Sequence, residues 1–115
     1  MDPTATTRYA GAVAIIDVAG RIGMSEGLGV MRDAIRREVA AGHKNILLNL
    51  AGVTYIDSSG LGEMASAYIK VSGMGGKLKL VNTRAKVRGL LEITRLYTLL
   101  VTYASEADAL ASFGE

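Results

Sequence analysis

The chain has 115 residues, with 13 Lys and Arg against 11 Asp and Glu, one His and no Cys. This length fits a single domain over residues 1–115 with a core that needs no covalent staples. The missing Cys excludes disulfides, thiol catalysis and thiolate metal sites, and a lone His excludes a two-His metal site, so no cofactor is expected.

The longest run of apolar residues and glycine, Ala10–Ile16, has seven residues, against the roughly 20 a membrane-spanning helix needs. Met1-Asp2-Pro3-Thr4 carries no basic stretch or apolar block of a secretory signal. The expectation is a soluble, cytoplasmic protein without a membrane partner. Charge is uneven along the chain. Residues 1–57 balance six basic against six acidic groups, whereas Lys70, Lys77, Lys79, Arg84, Lys86, Arg88 and Arg95 face only Glu92 within residues 70–95.

A short strand over Thr6–Tyr9 and a β-branched strand from Val13 through Val18 flank Ala10-Gly11-Ala12, which predicts a hairpin. Gly20 is expected to end the second strand. Ser25 is the expected N-cap of a helix with Glu26 in its first turn, Leu28, Met31, Ile35 and Val39 on its apolar face, and Gly42 at its end. Gly27 and Gly29 weaken its start by about 1 kcal/mol each relative to Ala.

Asn45–Leu50 reads as a central strand covered on both faces. Val53–Ile56 leads into Asp57-Ser58-Ser59-Gly60-Leu61-Gly62. Leu61, Met64, Ala65, Tyr68 and Val71 make the next helical stripe, closed by Gly73, Gly75 and Gly76. Lys77–Val81 alternates as a strand. Asn82 or Thr83 is placed to cap a helix carrying Val87, Leu90, Leu91 and Thr94. Leu99–Tyr103 reads as a weak last strand, and Ser105-Glu106-Ala107-Asp108 as a capping box opening a helix with Leu110 and Phe113. The order ββαβαβαβα predicts an α/β domain: a mixed sheet with an opening hairpin, parallel crossovers and helices packed on it.

The chemically informative segment is the strand-to-helix junction. Asp57, Ser58 and Ser59 all suit a helix N-terminus, where short oxygen-bearing side chains satisfy free N–H groups. Gly60 and Gly62 are poor helix formers, consistent either with a plain packing turn or with close approach of something to the backbone. A helix N-terminus tolerates an anion. A phosphate on Ser59 would add about −1.5 to −2 charges, altering the surface without unfolding the helix.

Catalytic patterns are missing. The Ser-Ser-Gly-Leu-Gly string is not a nucleophile elbow, and no phosphate-binding Gly-Lys-Ser/Thr loop occurs. Gly27-Leu28-Gly29 has Arg32 where a dinucleotide fingerprint needs a third glycine, and His43 reads as a solvated loop residue. Tyr55 and Tyr68 fall in core-like patterns, so the basic segment lacks an aromatic platform and no direct nucleic-acid partner is expected. Arg84, Lys86 and Arg88 nevertheless crowd a helix start that disfavours cations, which hints at an anionic partner surface. The chain is not expected to be an enzyme.

From about Arg8 to Phe113 the chain resembles the STAS domain of the bacterial anti-sigma factor antagonist family. The resemblance rests on Gly20-Arg21-Ile22, on Ile46-Leu47-Leu48-Asn49-Leu50-Ala51-Gly52-Val53, and above all on Tyr55-Ile56-Asp57-Ser58-Ser59-Gly60-Leu61-Gly62. Gly76-Lys77-Leu78 and Val87-Arg88-Gly89-Leu90-Leu91-Glu92 support it. It implies a STAS fold with four or five strands, about four helices, and those helices on one face. It also implies phosphorylation of Ser59 and a partner-binding surface at Asp57, Ser58, Ser59, Gly60, Leu61 and Gly62. The implied partners are an anti-sigma factor serine kinase of the histidine-kinase-like ATPase type, bound only while Ser59 is unphosphorylated, and a serine phosphatase. The alternative is a non-phosphorylated STAS subunit of a transporter or signalling scaffold. Two positions depart from the family pattern: Gly23 replaces a customary Asp or Thr, and Asn49 replaces the Asp of a Leu-Asp-Leu strand.

Overall fold

Five strands lie in a sheet in the order of the chain, β1-β2-β3-β4-β5. The computed structural model describes residues 3–24 and 27–114. The strands are β1 (Thr4–Ala10), β2 (Val13–Ile22), β3 (Asn45–Ile56), β4 (Lys77–Val81) and β5 (Thr102–Tyr103). The helices are α1 (Leu28–Ala40), α2 (Ser58–Gly73), α3 (Ala85–Thr94) and α4 (Glu106–Ser112), with a 3-10 turn over Leu96–Thr98. β1 and β2 form the expected antiparallel hairpin, and the other neighbours are parallel.

Side-chain alternation sorts the core onto two faces of the sheet. Ile16, Ile46, Leu48, Leu78 and Leu80 point to one face, where Met31, Ile35, Leu61, Met64, Val71, Val87 and Leu91 from α1, α2 and α3 cover them. Val13, Ile15, Leu47 and Val81 point to the other, covered by Ala109 and Phe113 at α4. The period of two in a strand demands this split. Helices therefore occupy both faces, which corrects the one-face arrangement implied by the family resemblance. Lys79 secures α4: its Nζ donates to the carbonyl (3.1 Å) and Oγ (2.8 Å) of Ser112 and lies 5.0 Å from the Phe113 ring centroid.

Other local expectations also shift. Gly20 does not end β2. It takes φ +94°, and the strand runs on to Ile22 through two register irregularities against β3. That conformation suits glycine and acts as a bulge. β3 is likewise one continuous strand of 12 residues. The Ser25 cap and Glu26 first-turn placements lie outside the described residues; among those described, Gly27 (φ +93°) occupies the cap position of α1. Neither Asn82 nor Thr83 caps α3, whose N-cap is Arg84 without a side-chain bond. Asn82 Nδ2 instead donates to Asn49 Oδ1, and the Thr83 and Thr102 hydroxyls pair at 3.1 Å. Thr94 is exposed and bonds the Leu90 carbonyl. The last strand keeps only Thr102–Tyr103, because Leu99 N and Leu100 N bond back to the Leu96 carbonyl and stay with the 3-10 turn. Ser105 caps α4 as expected, its Oγ accepting from Asp108 N at 3.2 Å.

Candidate functional site at the start of the second helix

β2 and β3 both end at one edge of the sheet, and α2 starts there. Asp57 is the N-cap of α2. Its Oδ1 accepts from Ser59 N (2.9 Å) and Gly60 N (3.1 Å), and its Oδ2 accepts from Met24 N (3.1 Å). One carboxylate thus closes the helix start and ties it to the end of β2. These backbone donors, led by Met24 and then Gly60, hold the Asp57 carboxyl below its ordinary range.

Gly23 makes this arrangement feasible. A Cβ there would stand 2.5 Å from Asp57 Oδ2 and 3.0 Å from Tyr55 Cε1. The departure from the customary Asp or Thr is therefore a packing requirement of this chain. Asn49 has a similar explanation. Its Nδ2 donates to Asp17 Oδ1 at 2.8 Å, while its Oδ1 accepts from Ala51 N and Asn82 Nδ2. An amide meets both needs; a carboxylate has no donor for Asp17.

The residues of the string do not share one environment. Ser58 and Gly62 are exposed, and Asp57 and Ser59 are half-buried. Gly60 and Leu61 face inward: Leu61 is core, and a Cβ on Gly60 would meet the Ile22 carbonyl oxygen at 2.4 Å. The close approach that the glycines suggested is made at Gly60 by the chain's own β2. Gly62 has nothing within 4 Å of such a Cβ. Asp57 also takes two of the N–H groups that an incoming anion would use. A charge on Ser59 would therefore rely on the helix dipole more than on those donors.

Cationic side chains gather at Tyr55, two residues before Asp57. Arg21 and Tyr55 are register partners on β2 and β3. The Arg21 guanidinium carbon lies 4.1 Å, and Lys86 Nζ 5.2 Å, from the Tyr55 ring centroid. Arg84 Nε donates to the Ala51 carbonyl at 2.8 Å. Tyr55 is half-buried and belongs to this surface, contrary to its core-like reading. Arg21 and Tyr55 each precede a residue of the same core cluster, Ile22 and Ile56, so both turn away from that core side by side.

His43 stands apart from this site. It stacks against Tyr9 (centroids 5.1 Å) with Nε2 3.9 Å from Glu38 Oε1, and Tyr9 donates to that same oxygen at 2.7 Å. It is thus a partly packed residue. Among the described residues, no group of three His, Asp or Glu side chains could hold a metal ion, and no helix is long and apolar enough to cross a membrane.

A family model of the STAS domain matches residues 8–109. An anti-sigma F factor antagonist of Paenibacillus polymyxa is 30% identical over 80 residues. That match spans 70% of this chain and 66% of the relative, just under two thirds of its length. The crystal structure of an anti-sigma factor antagonist from Mycobacterium paratuberculosis superposes with TM-score 0.89 at 24% identity, covering 99% of this chain and 96% of that one. The phosphorylated form of the Bacillus cell fate determinant SpoIIAA superposes with TM-score 0.72 at 18% identity, covering 95% and 98%. These two likenesses establish a shared fold.

Proposed function

Because the chain belongs to the STAS domain family, we propose that it is an anti-sigma factor antagonist that switches partners through Ser59. In the unphosphorylated state it binds an anti-sigma factor kinase of the histidine-kinase-like ATPase type, which frees the sigma factor. The kinase phosphorylates Ser59 and binding ends; a serine phosphatase restores it. Asp57, Ser58, Ser59 and Gly62 supply the exposed part of the docking surface, and Gly60 and Leu61 hold the helix that presents it.

The observation that carries this reading is the placement of Ser59. It is the second residue of α2, partly open to solvent, on a helix start that Asp57 clamps to the segment following β2. A phosphate can be added there without opening the core, because Leu61 and Met64 hold the helix from beneath. To move the bound fraction from 99:1 to 1:99, the modification must change partner affinity by about 5.5 kcal/mol. A dianion inside a protein interface supplies such a penalty through repulsion and desolvation.

The test uses purified anti-sigma factor ATPases from the source genome, each mixed with the chain and ATP. Intact mass should rise by one phosphate, mapped to Ser59. Ser59→Ala should take no label and still bind, and Ser59→Asp should bind weakly with an unchanged Tm. Labelling of another residue, or none by any of these kinases, overturns the proposal and leaves the constitutive subunit reading.

A further inference from the structure

We propose that the cleft between α1 and α2 binds a small carboxylate with a compact apolar body, about the size of a benzene ring. The site does not require the Ser59 switch.

α1 and α2 pack side by side over the same face of the sheet. Between them opens a cleft of about 130 Å³. Its floor is made by Ile35 and Val71 of the core, with the partly buried Val39 and Ala67 beside them. Small-molecule sites pair such an apolar floor with a few polar groups that fix orientation. An apolar cavity of about 150 Å³ holds benzene, so this cleft has room for one ring or about six carbons.

The mouth of the cleft selects charge. Arg36 from α1 and Lys70 from α2 are both exposed and both line it. Among the described residues, neither has a hydrogen-bond, ion-pair or ring partner for its side chain. Glu63 is the one carboxylate among the lining residues, and it faces Arg32, with Arg32 Nε 3.9 Å from Glu63 Oε1. Two cations are therefore left over beside an apolar floor. An anion with an apolar body answers both: the body leaves water for the floor, Arg36 offers a planar fork to a carboxylate, and Lys70 adds a point charge.

The Arg32–Glu63 pair also limits size. It reaches from one helix to the other, so a partner helix laid along the cleft would have to part it. A single ring sits beside it.

The probe is benzoate, titrated into the full chain carrying labelled methyl groups and followed by NMR. Saturable shifts should appear at Ile35, Val39, Ala67 and Val71, and not at Val13, Leu47 or Val81 across the sheet. For so few atoms a Kd of about 1 mM or tighter is expected. Benzamide, of the same shape without the charge, should bind about tenfold more weakly or worse, and Arg36→Gln/Lys70→Gln should weaken benzoate to the same degree. The Tm of that variant should be unchanged, because both side chains are exposed; should it not fold, the benzamide comparison on the wild-type chain decides alone. Equal binding of benzamide, indifference to the double substitution, or the lack of a saturable shift overturns the proposal. If the same methyl signals move when the chain alone is diluted, a second copy is the occupant and the proposal is again overturned.

Discussion

Gly23 and Asp57 are fitted to each other: the space a side chain at 23 would fill is the space the Asp57 carboxylate occupies, with only 2.5 Å between a Cβ and Oδ2. Gly23→Ala should displace the carboxylate, break the Met24 bond and loosen the start of α2. The expected outcome is a lower Tm and slower phosphorylation of Ser59 by its kinase. Gly23→Asp should be worse, because it also sets a second carboxylate beside the first. Thermal unfolding and labelling rates on the two variants check this.

The two glycines that open α2 should respond oppositely to alanine. Gly60→Ala forces a methyl against the Ile22 carbonyl and should destabilise the fold by about 1–3 kcal/mol, the range for overpacking. Gly62→Ala meets nothing within 4 Å and should stabilise by about 0.5–1 kcal/mol through helix propensity. If Gly62 also lies under the partner, Gly62→Ala will be more stable yet bind more weakly. Denaturant unfolding combined with a binding titration separates the two effects.

Asn49→Asp restores the family's usual residue but should harm this chain. The Asp17 carboxylate loses its 2.8 Å donor and gains a like charge, costing about 1–3 kcal/mol near neutral pH. The folded pair would hold one proton more tightly than the unfolded chain. A group raised in this way contributes stability below its unfolded value and loses it as pH rises. The deficit of Asn49→Asp should therefore shrink toward pH 4, read from urea unfolding at several pH values.

The wild-type chain should show the opposite trend in acid. Arg8 bonds Asp17 and Glu106 at once, with Nε 2.7 Å from Asp17 Oδ2, and both carboxyls are held below their ordinary range, chiefly by Arg8. Lowered carboxylates contribute stability above their unfolded values near about 4 and lose it as pH falls through the folded values. Stability should be level above about pH 5 and decline below about pH 4. Arg8→Met should flatten that decline, and an unchanged acid profile would refute the role given to Arg8.

Phe113→Ala should cost about 3 kcal/mol, since it empties the α4 contact with Val13, Ile15, Leu47 and Val81. It should leave Ser59 labelling intact at temperatures well below its Tm, because the helix start lies over the opposite face of the sheet. Labelling assays alongside thermal melts test that independence.

Much of this architecture was readable because local signals agreed with the tertiary structure. The unbroken apolar run Ile46-Leu47-Leu48 marks a strand buried on both sides, and the 3-4 spacing from Leu61 to Val71 marks the inner face of α2. Ser105 and Asp108 are close enough in the chain for a cap to be read directly. What escaped depends on residues far apart in sequence. Nothing near Asp57 reveals that Met24, 33 positions earlier, completes its coordination. Asn82 looked like a cap because its commitment to Asn49 lies across the sheet. Arg21 and Tyr55 meet only because β2 continues past a glycine that locally reads as a stop.

The strictly sequential sheet also bears on how the molecule is made. Each strand pairs with the one synthesised just before it, so the layer can be assembled vectorially as the chain emerges. Until Glu106–Ser112 arrives, however, Val13, Ile15, Leu47 and Val81 remain a greasy, uncovered wall. A nascent or clipped form ending before that last seven-residue helix would be a sticky species, prone to pair with its own kind or to be captured by a chaperone.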